Sequence, residues 1–368
     1  LALEQLQLQQ PQQPYSLYTK DKKRAEMKRL ITAAVLIALV SPIPIAQAAT
    51  KVGANCPTVN KTVTEKSSTF ICLKSGSKRS WQLLTADLKI KLAVEKAVTL
   101  NVVPKAVTSN ILQARKDKSS WLDQECSVDF ASTDTPVCEA GDLNSKKVIV
   151  LYGDSHASMW MSALDVIAKK NGYKVRLFAK LACPLVEIPI WSYQLNKPFI
   201  ECTQWQQKVF PLISALAPEI IIVTDQWKPA VVDGKKSDFD TPFMWEKEFP
   251  VAMARISKMA KKVYVLGNNP SLTQDPVDCV SKPNVTLALC SAGRTQADNA
   301  KYNSTEAKAT KAVGGTYIDT VAWACTDSLC PIVINSKLAY FDQWHFSESY
   351  VKFLTPALES KLAPAFKP

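Results

Sequence analysis

Histidine is almost missing from this chain. Its 368 residues contain two, His156 and His345. No C-x-x-C pair occurs either, and structural zinc takes four Cys or His ligands at short spacings, so no metal site is expected. Neither G-x-G-x-x-G nor G-K-[ST] is present, which argues against a dinucleotide or nucleotide-phosphate cradle, and no cofactor is implied. The apolar run "LITAAVLIALV" (30–40) is eleven residues long, well short of the ~20 that cross a bilayer. The many lysines are dispersed and not interleaved with aromatics, so nucleic acid is not an expected partner.

That apolar run follows Lys28 and Arg29 and leads into "SPIPIAQA", with Ala46 and Ala48 at A-x-A positions. Charged start, apolar middle and small-residue end predict a signal peptide over 27–48, cleaved between Ala48 and Ala49. Residues 1–26, rich in Gln, read as a segment upstream of a start at Met27. All ten cysteines lie beyond the leader, as expected of an exported chain with disulfides. Their clustering in successive twos predicts local bridges: Cys56–Cys72, Cys126–Cys138, Cys183–Cys202, Cys279–Cys290 and Cys325–Cys330. Each could stabilise by about 2–4 kcal/mol. The net charge is +12; six Lys/Arg and three acids in 1–48 leave +9 for the remainder. A basic exported protein is drawn to anionic envelope polymers, although a solvated Lys-rich surface explains the charge equally well.

Residues 49–83 are Thr/Val/Ser-rich with Cys56 and Cys72 at their ends, which predicts a small clipped hairpin module with Trp81 covering one face. Residues 84–120 read as a helical or loose connector. From 121 to 368 strand and helix patterns alternate. Strands are expected at 146–152, 173–179, 219–225, 261–267 and 316–319. Helices are expected after Gly153, over 202–217, 244–260 and 295–313, and from Ser347. That alternation predicts a three-layer α/β/α domain around a parallel sheet, with ligands at the carboxyl ends of the strands.

Both histidines fall at such ends. "GDSH" (153–156) comes where the first strand stops and a helix starts. Ser155 then stands near helix N–H groups that can stabilise negative charge, the place for a nucleophilic hydroxyl. Serine needs a base near neutral pH. In "DQWH" Asp342 and His345 are three residues apart, so the carboxylate can hold one ring nitrogen while the other faces Ser155. Each element has a bland reading. A lone G-D-S is common, Ser347 can simply cap the last helix, and Asn268 and Asn269 suit a turn. Trp227 and Trp344 fall near the carboxyl edge and could stack on a sugar ring, whereas Trp160 and Trp205 lie on helical stripes and suit the core.

"VLYGDSHASMW", "CPL" (183–185), "IIVTDQW" (221–227) and "YFDQWHFSESY" (340–350) together resemble the SGNH (GDSL-like) hydrolase superfamily. The similarity is closest to the SGNH domain attached to acyltransferase-family-3 membrane proteins that O-acetylate bacterial surface polysaccharides. It covers about residues 121–368 and implies an SGNH/flavodoxin-like fold. It also implies Ser155 as nucleophile, His345 as base and Asp342 as its orienting partner. His156 belongs to that subgroup's first motif, where it would hold the turn or touch substrate. The wider superfamily takes oxyanion donors from a Gly and an Asn. Here "AKLACP" (179–184) has no Gly and "TDQW" has no Asn, leaving the Ser155 N–H, a backbone N–H near Ala182 and the Gln226 side chain as candidates.

The resulting expectation is an exported serine-dependent esterase or O-acyltransferase. It would move a small acyl group, acetyl above all, on or off cell-envelope carbohydrate, with a membrane acyltransferase as a possible partner. The alternative is a non-catalytic envelope or glycan-binding protein on the same scaffold. N-terminal sequencing of the exported protein should begin at Ala49; a retained 27–48 segment would overturn the leader reading.

Overall fold

The computed structural model describes residues 50–367 apart from 110 and 124. The leader at 27–48 and the segment before it lie outside the described residues. Two compact units divide at Gln82 and Leu83. In the first, β1 (Thr62–Glu65) and β2 (Ser68–Ser75) form an antiparallel pair, and β3 (Lys78–Leu83) extends it to three strands. Trp81 is buried with Cys56 and Cys72, which form a disulfide. A core this small depends on such a clip.

The second unit is built on seven strands: β4 (Ser127–Val128), β5 (Cys138–Gly141), β6 (Val148–Gly153), β7 (Lys174–Lys180), β8 (Ile220–Thr224), β9 (Lys262–Leu266) and β10 (Thr316–Ile318). Their order is β10-β9-β8-β6-β7-β4, every pair along it parallel, with β5 antiparallel on β7. Its six main helices are α1 (Ala86–Ala97), α2 (Ser155–Asn171), α3 (Ile200–Leu216), α4 (Thr241–Ile256), α5 (Ala300–Ala312) and α6 (Glu348–Leu362).

Alternation along each strand explains the three layers. Ile149, Leu151, Val175, Leu177, Ile220 and Ile222 pack with Ile90 and Val94 of α1, Trp160 and Leu164 of α2, and Leu354 and Leu358 of α6. Their neighbours Val150, Tyr152, Phe178, Ile221, Val223 and Val265 pack with Trp205 and Val209 of α3, Phe249 and Met253 of α4, and Tyr302 of α5. Strands covered on both faces read as continuous apolar runs, as "IIIV" does.

Residues 84–120 are more than a connector. Thr85 caps α1 through the Leu88 N–H, and Ile90, Val94 and Ala97 are buried in the same core as α2 and α6, so the compact unit begins at Leu83. The short edge strands β4 and β5 have too few residues to carry a period, and no strand was expected there. Pro211, Pro250 and Pro356 sit inside helices on exposed positions, where the carbonyl each leaves unbonded can take water. Five disulfides join Cys56–Cys72, Cys126–Cys138, Cys183–Cys202, Cys279–Cys290 and Cys325–Cys330.

From β6 the chain moves to one side for β7 and to the other for β8. The crevice between the carboxyl ends of β6 and β8 is therefore the topological switch point. Gly153 pairs with Thr224 there, and a Cβ on it would meet the Thr224 carbonyl oxygen at 1.8 Å. The two strands can close only over glycine. Gly153→Ala should cost about 1–3 kcal/mol or more by overpacking, read as a lowered urea midpoint with an unchanged m-value; an unchanged midpoint would show that the strands part freely.

Candidate active site

Asp154 opens α2. Its buried carboxylate caps the helix by accepting from the His156 N–H at 2.9 Å, and the same oxygen meets His156 Nδ1 at 2.9 Å. The other oxygen accepts from the Gln226 N–H at 3.2 Å and lies 3.5 Å from Lys228 Nζ. Burial alone would push this carboxyl up. The charge of His156, then Lys228 and the hydrogen bonds outweigh it and hold Asp154 well below the usual carboxylate range. The cap thus fixes Ser155 at the first helical position beside the end of β8.

Asp342 does the same for the turn before α6. One of its oxygens accepts from the Trp344 and His345 N–H groups at 2.8 and 2.7 Å, folding the turn back on itself. The carboxylate then holds His345 Nδ1 at 2.8 and 3.0 Å, and His345 Nε2 lies 2.8 Å from Ser155 Oγ. With Nδ1–H donating to Asp342, Nε2 is free to accept the serine proton. Burial raises Asp342, but His345 and the two N–H donors keep it below its ordinary value. Burial lowers His345 below 6.5; Asp342 pulls it back and His156 pushes it further down. Ser347 caps α6 through the Tyr350 N–H, so the turn leads directly into a helix.

Ser155, Asp342 and His345 open on a cavity of about 800 Å³. Ala182, Gln226, Trp227 and Trp344 line it too. Ala182 takes a left-handed conformation at φ 57°, the region that favours glycine. The Ser155 and Ala182 N–H groups make no hydrogen bond among the described residues and so remain available as donors. The Gln226 side chain differs: its amide donates to Ser271 Oγ at 2.7 Å, which spends one of its two hydrogens. Trp344 is 47% exposed at the cavity. Trp227 stacks on Tyr302, centroids 4.6 Å apart, and donates Nε1–H to Asn299. Trp160 and Trp205 are core.

His156 does not reach the cavity. It is 2% exposed, and Nε2 lies 3.1 Å from the Trp344 carbonyl oxygen. Both of its ring nitrogens are engaged within the protein, which suits the expected role of holding the turn. Asn268 and Asn269 are also internal, donating to Glu306 at 2.7 Å and to the Trp344 carbonyl at 2.7 Å. They brace the site and are more than turn formers.

The profile of the SGNH domain fused to AT3 domains matches residues 125–360. The chain belongs to this family. Solved structures match this chain at low identity. The periplasmic domain of a lipopolysaccharide acetyltransferase from Salmonella ser. Paratyphi A is 16% identical, with 60% of this chain and 85% of that chain covered and a TM-score of 0.47. An α/β hydrolase from the metagenome of Lake Arreo is 13% identical, with 62% and 98% covered and a TM-score of 0.37. A catalytic mutant of an acetylxylan esterase from Geobacillus stearothermophilus is 13% identical, with 60% and 96% covered and a TM-score of 0.32. Curated proteins give no significant match.

Sequence reasoning missed several groups of this SGNH site. Phe341 stacks on His345 with centroids 5.3 Å apart. Trp191, Tyr193 and Lys228 line the cavity; the Trp and Tyr of "PIWSYQLNKP" sit in a hairpin whose two-residue strands are too short to carry a period. Asp225 is buried and accepts from the Leu185 N–H at 2.6 Å, which ties the loop after Ala182 to the end of β8. Burial, then the charge of Asp154, pushes its carboxyl up to about 7. The unfolded chain would ionise it near 3.8, so Asp225 contributes stability at low pH that is lost as pH rises towards 7. Asp225→Asn keeps an acceptor for Leu185 and removes the titration. Urea unfolding should show it gaining on wild type between pH 4 and 8; a constant difference would place the titration elsewhere.

Proposed function

We propose that this chain is an extracytoplasmic, serine-dependent esterase or O-acyltransferase that moves an acetyl group on or off cell-envelope carbohydrate. The observation that carries this reading is the continuous hydrogen-bond chain from Ser155 Oγ through His345 to Asp342, opening on a cavity at the switch point of the sheet. Ser155 Oγ attacks the acetyl carbonyl while its proton passes to His345 Nε2. The developing oxyanion takes hydrogen bonds from the Ser155 and Ala182 N–H groups. The C–O bond to the leaving alcohol breaks, and His345 returns the proton to that oxygen, leaving acetyl-Ser155. Water or a sugar hydroxyl then gives its proton to His345, attacks the acyl carbon and releases Ser155 Oγ, which takes the proton back.

Several features support the substrate and the setting. Trp344 offers an exposed ring at the cavity and Trp227 a braced one, both suited to a sugar face. Five disulfides suit an oxidising compartment, and we read 27–48 as the leader that brings the chain there. The family's fusion to AT3 domains points to a membrane acyltransferase as the acyl donor. In this organisation the N-terminal clipped hairpin is a separate module, and the catalytic domain is the compact unit that begins at Leu83.

Residues that act as a unit are non-additive. Ser155→Ala and His345→Ala should each lower turnover of an aryl acetate by on the order of 10³-fold or more, and the double variant should be no slower than the worse single one. Asp342→Ala should be milder. Melting curves establish that the variants are folded. Full turnover by Ser155→Ala, or losses that multiply in the double variant, would sink the triad. A wild type without esterase or transferase activity would favour a glycan-binding role.

A further inference from the structure

His156 sits among acceptors. Its Nδ1 faces an Asp154 oxygen that already accepts from the His156 backbone N–H, and its Nε2 faces the Trp344 carbonyl. A carbonyl oxygen can only accept, and a carboxylate with three other donors around it, the His156 and Gln226 N–H groups and Lys228, is an acceptor as well. A neutral imidazole carries one N–H and would leave one of these contacts as lone pair against lone pair. The ring lies 4.7 Å from the His345 ring at an interplanar angle of 28°. The charged and titratable groups around it are Asp154 on its own turn, Asp225 and Lys228 from the end of β8 and the loop after it, and Asp342 and His345 from the turn before α6.

We propose that His156 is a positioning residue that carries hydrogen on both ring nitrogens, a buried imidazolium paired with Asp154, and that it sets the proton affinity of His345. The inference rests on the catalytic reading above. A fixed positive charge stacked on the base disfavours a second one. Before attack it keeps His345 neutral, hence able to accept, at lower pH. After attack it makes the protonated His345 a stronger acid towards the departing sugar oxygen. The same ring holds the Trp344 carbonyl, which Asn269 also grips at 2.7 Å, so the charge and the register of the Asp342–His345 turn are set by one side chain.

With two histidines in the chain, the test is direct. Uniform ¹⁵N-histidine labelling of the full chain gives two ring systems, assigned with His345→Gln. Long-range ¹H–¹⁵N spectra across a pH series should show both His156 nitrogens protonated at a pH where His345 has already lost its Nε2 proton. A neutral His156 tautomer at that pH overturns the proposal, whether or not the protein has activity. The kinetic arm uses kcat/KM for an aryl acetate. His156→Phe keeps a ring for stacking and removes the charge. Its acid limb should move to higher pH by on the order of one unit. A purely structural role would lower the plateau and leave the limb in place, and that result refutes the tuning. If His156→Phe does not fold, the wild-type spectra still decide; if the wild type is inactive, the catalytic reading fails while the spectra stand.

Discussion

The site is organised by one buried carboxylate. Asp154 caps the first helix after the strand that leads the sheet. Within the same few ångströms it holds His156, the Gln226 N–H at the end of β8 and the Lys228 ammonium. Through His156 it also reaches the Trp344 carbonyl, which lies 188 residues from that histidine in sequence. A charge this deep is tolerated because it is surrounded by donors and paired with cations. Ser155 is placed because its neighbour is fixed. Helix cap, strand junction and the Asp342–His345 turn thus meet at one carboxylate and its histidine.

The same logic explains which parts of the architecture were legible in the sequence. Five of the sheet strands and the five helices after Gly153 follow apolar runs and helical periods, because burial on one or both faces dictates those patterns. Two-residue β4 and four-residue β5 are held by neighbours, and no local pattern betrays such strands. The segment of helix α1 read only as a helical or loose connector, since a Lys- and Ala-rich surface disguises the three apolar positions that bury. Ser155, Asp342 and His345 stood out because histidine is so scarce. Asp225, Lys228 and the double engagement of His156 are consequences of which loops meet at the switch point, and that information is three-dimensional.

The departure from the superfamily's glycine has a physical resolution. In the stretch that lacks a glycine, Ala182 adopts the left-handed backbone that glycine takes freely. An L-residue there is strained by about 1–2 kcal/mol, so surrounding contacts must impose the conformation. They are present: the Cys183–Cys202 disulfide pins the next residue to α3, the Cys183 N–H bonds the Lys180 carbonyl at 3.0 Å, and the Leu185 N–H is held by Asp225. A sequence motif scores the missing glycine as a loss, whereas the backbone it serves survives.

Asn268 and Asn269 make the complementary point about the missing asparagine. Neither takes over as a donor into the cavity, because Asn268 is bound to Glu306 and Asn269 to the Trp344 carbonyl. Two backbone N–H groups, on Ser155 and Ala182 at the cavity wall, have no partner among the described residues. Backbone donors require no side-chain ordering when charge develops, and one comes from a helix N-terminus where the peptide dipoles add to it. What must be preserved is then the placement of two peptide planes. The Asp154 cap fixes the first plane and the Asp225-anchored disulfide loop the second, so two buried aspartates position both N–H groups that the proposed mechanism turns towards an oxyanion.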